Sequence, residues 1–210
     1  MQKGIFITFE GPDGSGKTTI STKVYELFKS SGYPVIYTRE PGGIEIAEQI
    51  RNIILDPDNK KMDAKTEALL YAASRRQHLV EKIIPALNNK QIVICDRFVD
   101  SSLAYQGYGR EIGVKEVKEI NDFAIESYQP DFTLFLNISA SDGLKRLKNR
   151  TFKDRLDLET LDFHQRVFDG YQLVLANMKQ PHQVIDANRD IDSVTKDCYE
   201  AILKVIYDYK

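Results

Sequence analysis

The sequence predicts an α/β protein with a five-stranded parallel sheet and helices on both faces of that sheet. Short runs rich in Ile, Val and Phe, typical of strands buried on both faces, alternate with longer segments of helical period. This alternation is typical of parallel sheets whose strands are joined by helices. The 210 residues are enough for one such domain, and no repeat or low-complexity linker divides residues 1–210.

The elements follow one another in a regular order. The predicted strands are the apolar runs at 5–9, 35–37, 92–95, 132–138 and, more weakly, 183–185. The first predicted helix, 18–30, stops before Gly32 and Pro34, two residues that end helices. The other predicted helices, which show apolar residues at helical spacing, are 44–55, 65–87, 114–128, 141–148, 161–178 and 191–207.

Composition excludes several classes of protein. The net charge is −2, so a duplex-binding surface is not indicated and we expect no nucleic-acid partner. Cys95 and Cys198 form no CxxC pair, which argues against a disulfide framework or a zinc site. The apolar run at the N-terminus is too short for a signal peptide, and no stretch is long enough to span a membrane. We therefore expect a cytoplasmic enzyme.

The segment GPDGSGKT at 11–18 matches the pattern G-x-x-x-x-G-K-[ST] in full. It lies between a predicted strand and a predicted helix, which is the context that a phosphate-binding P-loop requires. Glycines let the backbone N–H groups face inward, Lys17 reaches the β- and γ-phosphates, and the Thr18 hydroxyl binds Mg²⁺. No N-K-x-D segment, the usual source of guanine specificity, follows a strand. The candidate nucleotide-binding residues are Gly11, Pro12, Asp13, Gly14, Ser15, Gly16, Lys17, Thr18 and Thr19.

Charged residues follow two other predicted strands. Asp96 and Arg97 end the strand at 92–95, and Arg39 follows the strand at 35–37. Ligands of doubly wound sheets gather at the carboxyl ends of the strands, so these residues should lie near the P-loop. Asp96 can hold Mg²⁺ together with Thr18 or steer an acceptor, and Arg97 can form a bidentate contact with a phosphate. An ordinary strand-end turn with a surface ion pair is the alternative.

Five segments occur in the order FEGPDGSGKTT, TREPGG, EALLYAASRRQH, DRFVDSSLAYQG and KNRTFKDRLDLE. In this combination the chain resembles the thymidylate kinase family, and TREPGG together with DRFxDSSLAYQG is specific to it. The resemblance covers essentially the whole chain. It implies a P-loop nucleoside monophosphate kinase-like fold, the ATP-dependent phosphorylation of dTMP to dTDP in dTTP synthesis, Mg²⁺ as cofactor, and a homodimer.

The resemblance also implies roles for residues that bind dTMP. Arg39 and Arg97 match the pair of arginines that binds the monophosphate of dTMP. Asp13 matches a carboxylate that contacts the sugar side of dTMP. Tyr71 lies where an aromatic ring stacks on thymine; without the resemblance it would be interpreted as core. Base contacts are implied for Arg75, Ser102 and Gln106, and sugar packing that disfavours a ribose 2′-hydroxyl is implied for Tyr105.

The polar segment 149–160 is a candidate lid, although its composition alone equally fits a solvated surface loop. The P-loop has Gly14 and Ser15 where one group of relatives carries an arginine. The chain therefore resembles the bacterial group, whose lid supplies the basic residues. Arg150 is the candidate to reach the transferring phosphoryl group, and Arg155 can instead anchor the lid to a carboxylate such as Asp157. The predicted catalytic residues are Lys17, Asp96, Arg97 and Arg150.

Two other functions remain as alternatives. A nucleoside monophosphate or deoxynucleoside kinase with another base selectivity is disfavoured by Tyr71, Arg75 and Gln106. A nucleotide-dependent switch or assembly ATPase would hydrolyse ATP slowly without an acceptor. The apolar faces of the predicted helices 65–87 and 114–128 are candidates for a dimer contact, but periodicity does not separate an interface from a core.

Overall fold

A parallel sheet of five strands lies at the centre of the protein. The computed structural model describes residues 3–148 and 154–208. The strand order is β2-β3-β1-β4-β5, and every neighbouring pair is parallel. This confirms the predicted sheet. The strands are β1 Ile5–Glu10, β2 Val35–Arg39, β3 Ile92–Asp96, β4 Phe132–Asn137 and β5 His182–Asp186.

The burial of each strand explains how clearly the sequence indicated it. All six residues of β1 and all five of β3 are buried, which matches their unbroken apolar runs. The last strand, β5, lies at the edge of the sheet and buries only Ile185. An edge strand has a neighbour on one side only, so its apolar pattern is weaker.

Helices connect the strands and cover both faces. The predicted helix 65–87 is one continuous path, in which the π-helical turn Leu79–Ile83 joins α3 to α4. That turn lies just before Pro85, which has no N–H for the α-helical bond to residue 81. The predicted helix 114–128 stops at Ile125, because Glu126 has a positive φ of 53°. The helices are α1 Lys17–Ser30, α2 Glu45–Leu55, α3 Ala64–His78, α4 Ile84–Asn88, α5 Val99–Ser102, α6 Val114–Ile125, α7 Ala140–Lys148, α8 Leu161–Ala176 and α9 Ile191–Asp208.

Alternate side chains of the strands supply the cores on the two faces. Ile5, Ile7 and Phe9 of β1 pack with α1 and α9 on one face, whereas Phe6 packs with the π-helical turn Leu79–Ile83, α4 and α6 on the other. A third cluster joins Phe135 of β4 to α8 and to the π-helical segment Leu103–Gly109, which continues α5. Each large apolar side chain buried in this way contributes about 1.5–3 kcal/mol. No helix among the described residues is both long enough and apolar enough to cross a membrane.

The parallel register brings three strand ends to one edge of the sheet. Phe9 of β1 and Arg39 of β2 are both paired with Asp96 of β3. The segment after β1 is the P-loop, so the phosphate-binding loop, Arg39 and Asp96 share this edge. The predicted convergence of these groups at the carboxyl ends of the strands is therefore confirmed.

Candidate active site

The P-loop turns between β1 and α1 with glycines in backbone conformations that other residues rarely adopt. Gly14 has a φ of 82°, and a Cβ at this position would lie 2.5 Å from the carbonyl oxygen of Gly143 in α7. Gly16, with a φ of 85°, caps α1 without a side-chain hydrogen bond, and the first turn of that helix contains no acidic residue. The positive N-terminal end of α1 is thus left for an anion.

Lys17 lies inside the loop, with only 5% of its surface exposed. Its ammonium group donates to the carbonyl oxygen of Pro12 at 2.8 Å and to Ser15 Oγ at 3.2 Å. Burial and the nearby charge of Arg97 lower the pKa of Lys17 to about 7, against the attraction of neighbouring carboxylates. A triphosphate bound in the loop would bring negative charge to this ammonium group.

Thr18 and Asp96 form the pair that the sequence predicted as a metal site. Thr18 Oγ1 donates to Asp96 Oδ2 at 2.5 Å. The other carboxylate oxygen, Asp96 Oδ1, is buried, and no described residue donates to it. A buried acceptor without a partner is costly, whereas carboxylate and hydroxyl oxygens are the ligands that Mg²⁺ prefers. The two residues therefore fit a hydrated Mg²⁺ ion.

Arg97 is held in a strained backbone conformation beside the P-loop. Its φ is 71°, a left-handed conformation that costs a non-glycine residue about 1–2 kcal/mol. The guanidinium donates to Asp13, to Tyr171 Oη at 2.9 Å and to Ser101 Oγ at 3.2 Å. Burial opposes this charge, but Asp13 together with Tyr105, Tyr171 and Asp96 outweighs burial and raises the pKa of Arg97 well above its usual range. Arg97 is therefore a fixed cation at the edge of the cavity.

Two residues that support Arg97 were not identified from the sequence. Glu10, at the end of β1, is fully buried and accepts from the Phe98 backbone N–H at 2.7 Å and from Ser101 Oγ at 2.6 Å. Burial raises the pKa of Glu10 above its usual value. Tyr171 of α8 contacts Glu10 as well as Arg97. A charged residue at the end of an apolar strand was the available signal for Glu10; for Tyr171 the sequence indicated only a position within the predicted helix 161–178.

A cavity of about 160 Å³ extends from this edge of the sheet between α3, α5 and the segment after residue 153. All eight predicted dTMP-binding residues line this one cavity, and Thr18 and Asp96 also border it. Its wall also contains Glu40, Arg51 and Asp154, to which no role was assigned from the sequence. The predicted residues are Asp13, Arg39, Tyr71, Arg75, Arg97, Ser102, Tyr105 and Gln106.

Arg75 is the most constrained group of the cavity wall, with 2% of its surface exposed. Four of its five N–H bonds have acceptors among the described residues: Glu40 Oε2 at 2.7 Å, the Phe98 carbonyl at 2.8 Å, Ser102 Oγ at 3.0 Å and Asn121. One N–H bond is left for a ligand. Arg75 is thus both a buried structural residue and a member of the cavity wall.

The second half of the candidate lid is packed against the domain. Arg155 is 8% exposed and donates to Glu67 Oε2 at 2.6 Å and to the Ile54 carbonyl at 2.8 Å. Leu156 is buried with Tyr71 and Tyr105 in the third cluster. A solvated surface loop is therefore wrong for Arg155 and Leu156, and the carboxylate that anchors Arg155 is Glu67. Arg150 and the rest of 149–153 lie outside the described residues.

Comparison with known proteins identifies the family of the chain. The family model described as thymidylate kinase matches residues 9–198. A thymidylate kinase of Bacillus pumilus is 55% identical over 207 residues, which cover 98% of this chain and 96% of the relative. One from Clostridium novyi is 55% identical over 196 residues, covering 92% and 96%. The crystal structure of thymidylate kinase from Ehrlichia chaffeensis is 36% identical, with a TM-score of 0.76 and coverage of 95% and 98%. The chain therefore belongs to the thymidylate kinase family.

Proposed function

We propose residue roles for the reaction that this chain catalyses as a family member, the ATP-dependent phosphorylation of dTMP to dTDP. The observation that carries the proposal is the shared cavity. The residues selected for the acceptor line it, and it borders Thr18 and Asp96 beside the P-loop. A donor in the P-loop and an acceptor in the cavity would therefore meet at one edge of the sheet.

The P-loop is proposed to bind ATP through residues 11–19. The N–H groups of the loop and of the first turn of α1 would bind phosphate oxygens, and Lys17 would contact the β- and γ-phosphates. Thr18 and Asp96 would hold Mg²⁺, which when bound neutralises charge on the phosphates. The unpartnered Asp96 Oδ1 supports this assignment.

The cavity is proposed to bind dTMP with its monophosphate toward Arg39 and Arg97. Asp13 would contact the sugar, and Tyr105 would pack against it. The ring of Tyr71 would stack on the base; burial raises the pKa of its hydroxyl above the usual value, so the ring stays neutral. Arg75, Ser102 and Gln106 would contact the base edge.

Phosphoryl transfer needs alignment and charge more than covalent chemistry. An oxygen of the dTMP phosphate bonds to the γ-phosphorus while the bond from that phosphorus to the β-phosphate oxygen breaks. The acceptor phosphate is already ionised near neutral pH, so no strong base is required. Lys17, Arg39 and Arg97 offset the repulsion between the two anions. Residues 149–160 are the proposed lid, which excludes water when it is closed.

Arg150 is proposed to supply a further positive charge to the transferring group. Arg150→Ala should lower kcat by about 10²–10³ but change the Kd for dTMP, measured without ATP, far less. If kcat falls in Arg155→Ala but not in Arg150→Ala, Arg155 rather than Arg150 supplies the charge. Full kcat in both variants would show that the lid supplies no catalytic charge.

The single experiment that tests the function is an ADP-release assay with ATP and Mg²⁺ against dTMP, dUMP, UMP, AMP, CMP and GMP. We expect the highest kcat/KM with dTMP. Higher kcat/KM with another monophosphate would assign a different base selectivity. ADP release that is slow and unaffected by every acceptor would instead indicate a nucleotide-dependent switch.

We also propose that the protein is a cytoplasmic homodimer in which residues 1–210 act as one domain. Exposed apolar side chains lie on α2, on the path from α3 to α4, and on α6, and α3 contacts both α2 and α6. Phe123 of α6 is 88% exposed. Sedimentation equilibrium should give a dimer for the wild type and for the control Val184→Asp on β5, but a monomer for Phe123→Asp. A dimeric Phe123→Asp variant would place the contact elsewhere. The exposed residues are Ile46, Ile53, Leu69, Val80 and Phe123.

A further inference from the structure

Glu67 of α3 is a buried carboxylate to which the residue roles above assign no part in base recognition. Only 1% of its surface is exposed. Its Oε1 accepts from the side-chain amide of Gln106 at 2.8 Å, and its Oε2 accepts from Arg155 at 2.6 Å and from Arg110 Nε at 3.1 Å. Glu67 thus joins the base end of the cavity to the anchored half of the lid.

The contact with Glu67 fixes which end of the Gln106 amide faces the cavity. A carboxylate accepts hydrogen bonds and does not donate them, so the amide nitrogen of Gln106 must be the atom that faces Glu67. Gln106 is 1% exposed and lines the acceptor cavity. No described residue donates to its Oε1. This amide oxygen, on a residue of the cavity wall, is therefore left for a donor on a ligand.

Pyrimidine bases differ at the edge that such an oxygen would meet. Thymine and uracil carry an N3–H donor, whereas N3 of cytosine is an acceptor. A fixed carbonyl oxygen pairs with the first two and repels the third. We propose that Glu67 is a positioning residue that orients the Gln106 amide and thereby selects dTMP and dUMP over dCMP. This inference rests on the proposed base contact of Gln106.

The partners of Glu67 keep the carboxylate in place. Arg155 comes from the lid, and Arg110 follows the π-helical segment that contains Gln106. Arg110 also pairs with Glu159 at 2.6 Å, so the four charges of the cluster balance. Arg110 Nε alone contacts both oxygens of Glu67, at 3.2 and 3.1 Å, so the carboxylate keeps the position that orienting an amide requires even without Arg155.

The test is the substitution Glu67→Gln, which keeps the shape of the side chain. The new amide can donate to Gln106 Oε1, so the Gln106 amide can turn and present its NH₂ group, which suits N3 of cytosine. We expect the ratio of kcat/KM for dTMP over dCMP to fall by at least about tenfold, and the ratio for dTMP over dUMP to stay within about twofold. Each ratio comes from one preparation, so a reduced folded fraction cannot imitate the effect.

Two further variants distinguish a failure of the inference about Glu67 from a failure of the proposed base contact of Gln106. Arg155→Met removes a partner of Glu67 but leaves the contact with Gln106, so kcat/KM should fall by the same factor for all three acceptors. If it lowers the dTMP to dCMP ratio as Glu67→Gln does, the cavity has merely loosened and the inference is overturned. Gln106→Leu tests the base contact itself, and an unchanged ratio in this variant refutes that part of the proposed function. A changed ratio in Gln106→Leu with an unchanged ratio in Glu67→Gln refutes only the inference about Glu67.

Discussion

Lys17 should take up a proton when ATP binds. Its ammonium group is buried in the loop and donates to the Pro12 carbonyl, and burial together with the charge of Arg97 lowers its pKa to about 7. The carboxylates of Glu10, Asp13 and Asp96 face it from β1, the P-loop and β3 and do not fully offset these effects. The phosphates of ATP add negative charge beside the amine, so the bound state should restore the charged form.

The size of the effect follows from the pKa of about 7. About half of the free molecules carry a charged Lys17 at pH 7, and about one in ten at pH 8, so binding should take up about 0.5 and 0.9 protons respectively. If only the charged form binds, the Kd for ATP rises about tenfold per pH unit above pH 8. As the pH rises, ATP binding weakens but the free energy of unfolding of the free enzyme increases. Between the folded pKa of about 7 and the ordinary value of 10.5, the unfolded chain binds more protons, so this contribution rises with pH.

The assay is titration calorimetry of ATP at pH 8 to 9 in pairs of buffers that differ in ionisation enthalpy. The phosphates of ATP are already ionised there, so the slope against buffer enthalpy reports protons taken up by the protein. Lys17→Arg should abolish the uptake, because arginine stays charged. Asp100→Asn should keep it, although burial and Glu10 raise the pKa of Asp100 to about 7. Uptake below about 0.2 protons at pH 8 would show that Lys17 is already charged in the free enzyme.

Substitutions of Arg97, Tyr71 and Arg155 give distinct results. Arg97→Ala should weaken transition-state binding of dTMP by about 2–4 kcal/mol, measured from the fall in kcat/KM for dTMP, and should change kcat/KM for ATP much less. A fall in kcat/KM for dTMP of less than about threefold would contradict the phosphate contact. Tyr71→Phe should be nearly neutral, whereas Tyr71→Ala should weaken dTMP binding by about 1–3 kcal/mol. If the alanine variant is less stable but its folded fraction keeps the dTMP affinity, Tyr71 is only core. Arg155→Met should lower the free energy of unfolding in urea by about 2–3 kcal/mol, since Glu67 keeps one guanidinium partner. The exposed-pair control Lys23→Met should change it by under about 1 kcal/mol, and equal losses would refute the argument.

The elements that could be predicted from the sequence are those specified by local pattern. Buried strands such as β1 and β3 need unbroken apolar runs, and their predicted bounds lie within one residue of the observed ends. The helix from Val99 to Gly109 was not predicted. Its sequence contains two glycines and several serine and tyrosine residues, which favour a helix weakly. Contacts with distant residues stabilise it instead, including those of Ser102 with Arg75 and of Gln106 with Glu67.

The candidate site likewise has residues that a local motif specifies and residues that only contacts with distant parts of the chain specify. The P-loop and the Asp96–Arg97 pair lie in contiguous motifs, so their chemistry could be inferred from residues adjacent in the sequence. Glu10 and Tyr171 act through partners far away in the chain: Ser101 is 91 residues from Glu10, and Tyr171 is 161. No single-sequence pattern carries such a pairing. A carboxylate anchor for Arg155 was expected, with Asp157 as the example because it is near in sequence; the carboxylate in the structure is Glu67, 88 residues away.

The contact between Gly14 and Gly143 limits how this lineage can change. Relatives that carry an arginine in the P-loop obtain a catalytic charge from the donor side. Here an arginine at 14 would place its Cβ 2.5 Å from the Gly143 carbonyl and force a side chain into a left-handed backbone. At 15 it would displace a buried serine that accepts from Lys17. Either mutation would be harmful unless a compensating change in α7 or in the loop came first. If the lid supplies the catalytic charge as proposed, a transfer of that charge from lid to loop would need at least two ordered mutations, with the lid arginines retained until the second one is fixed.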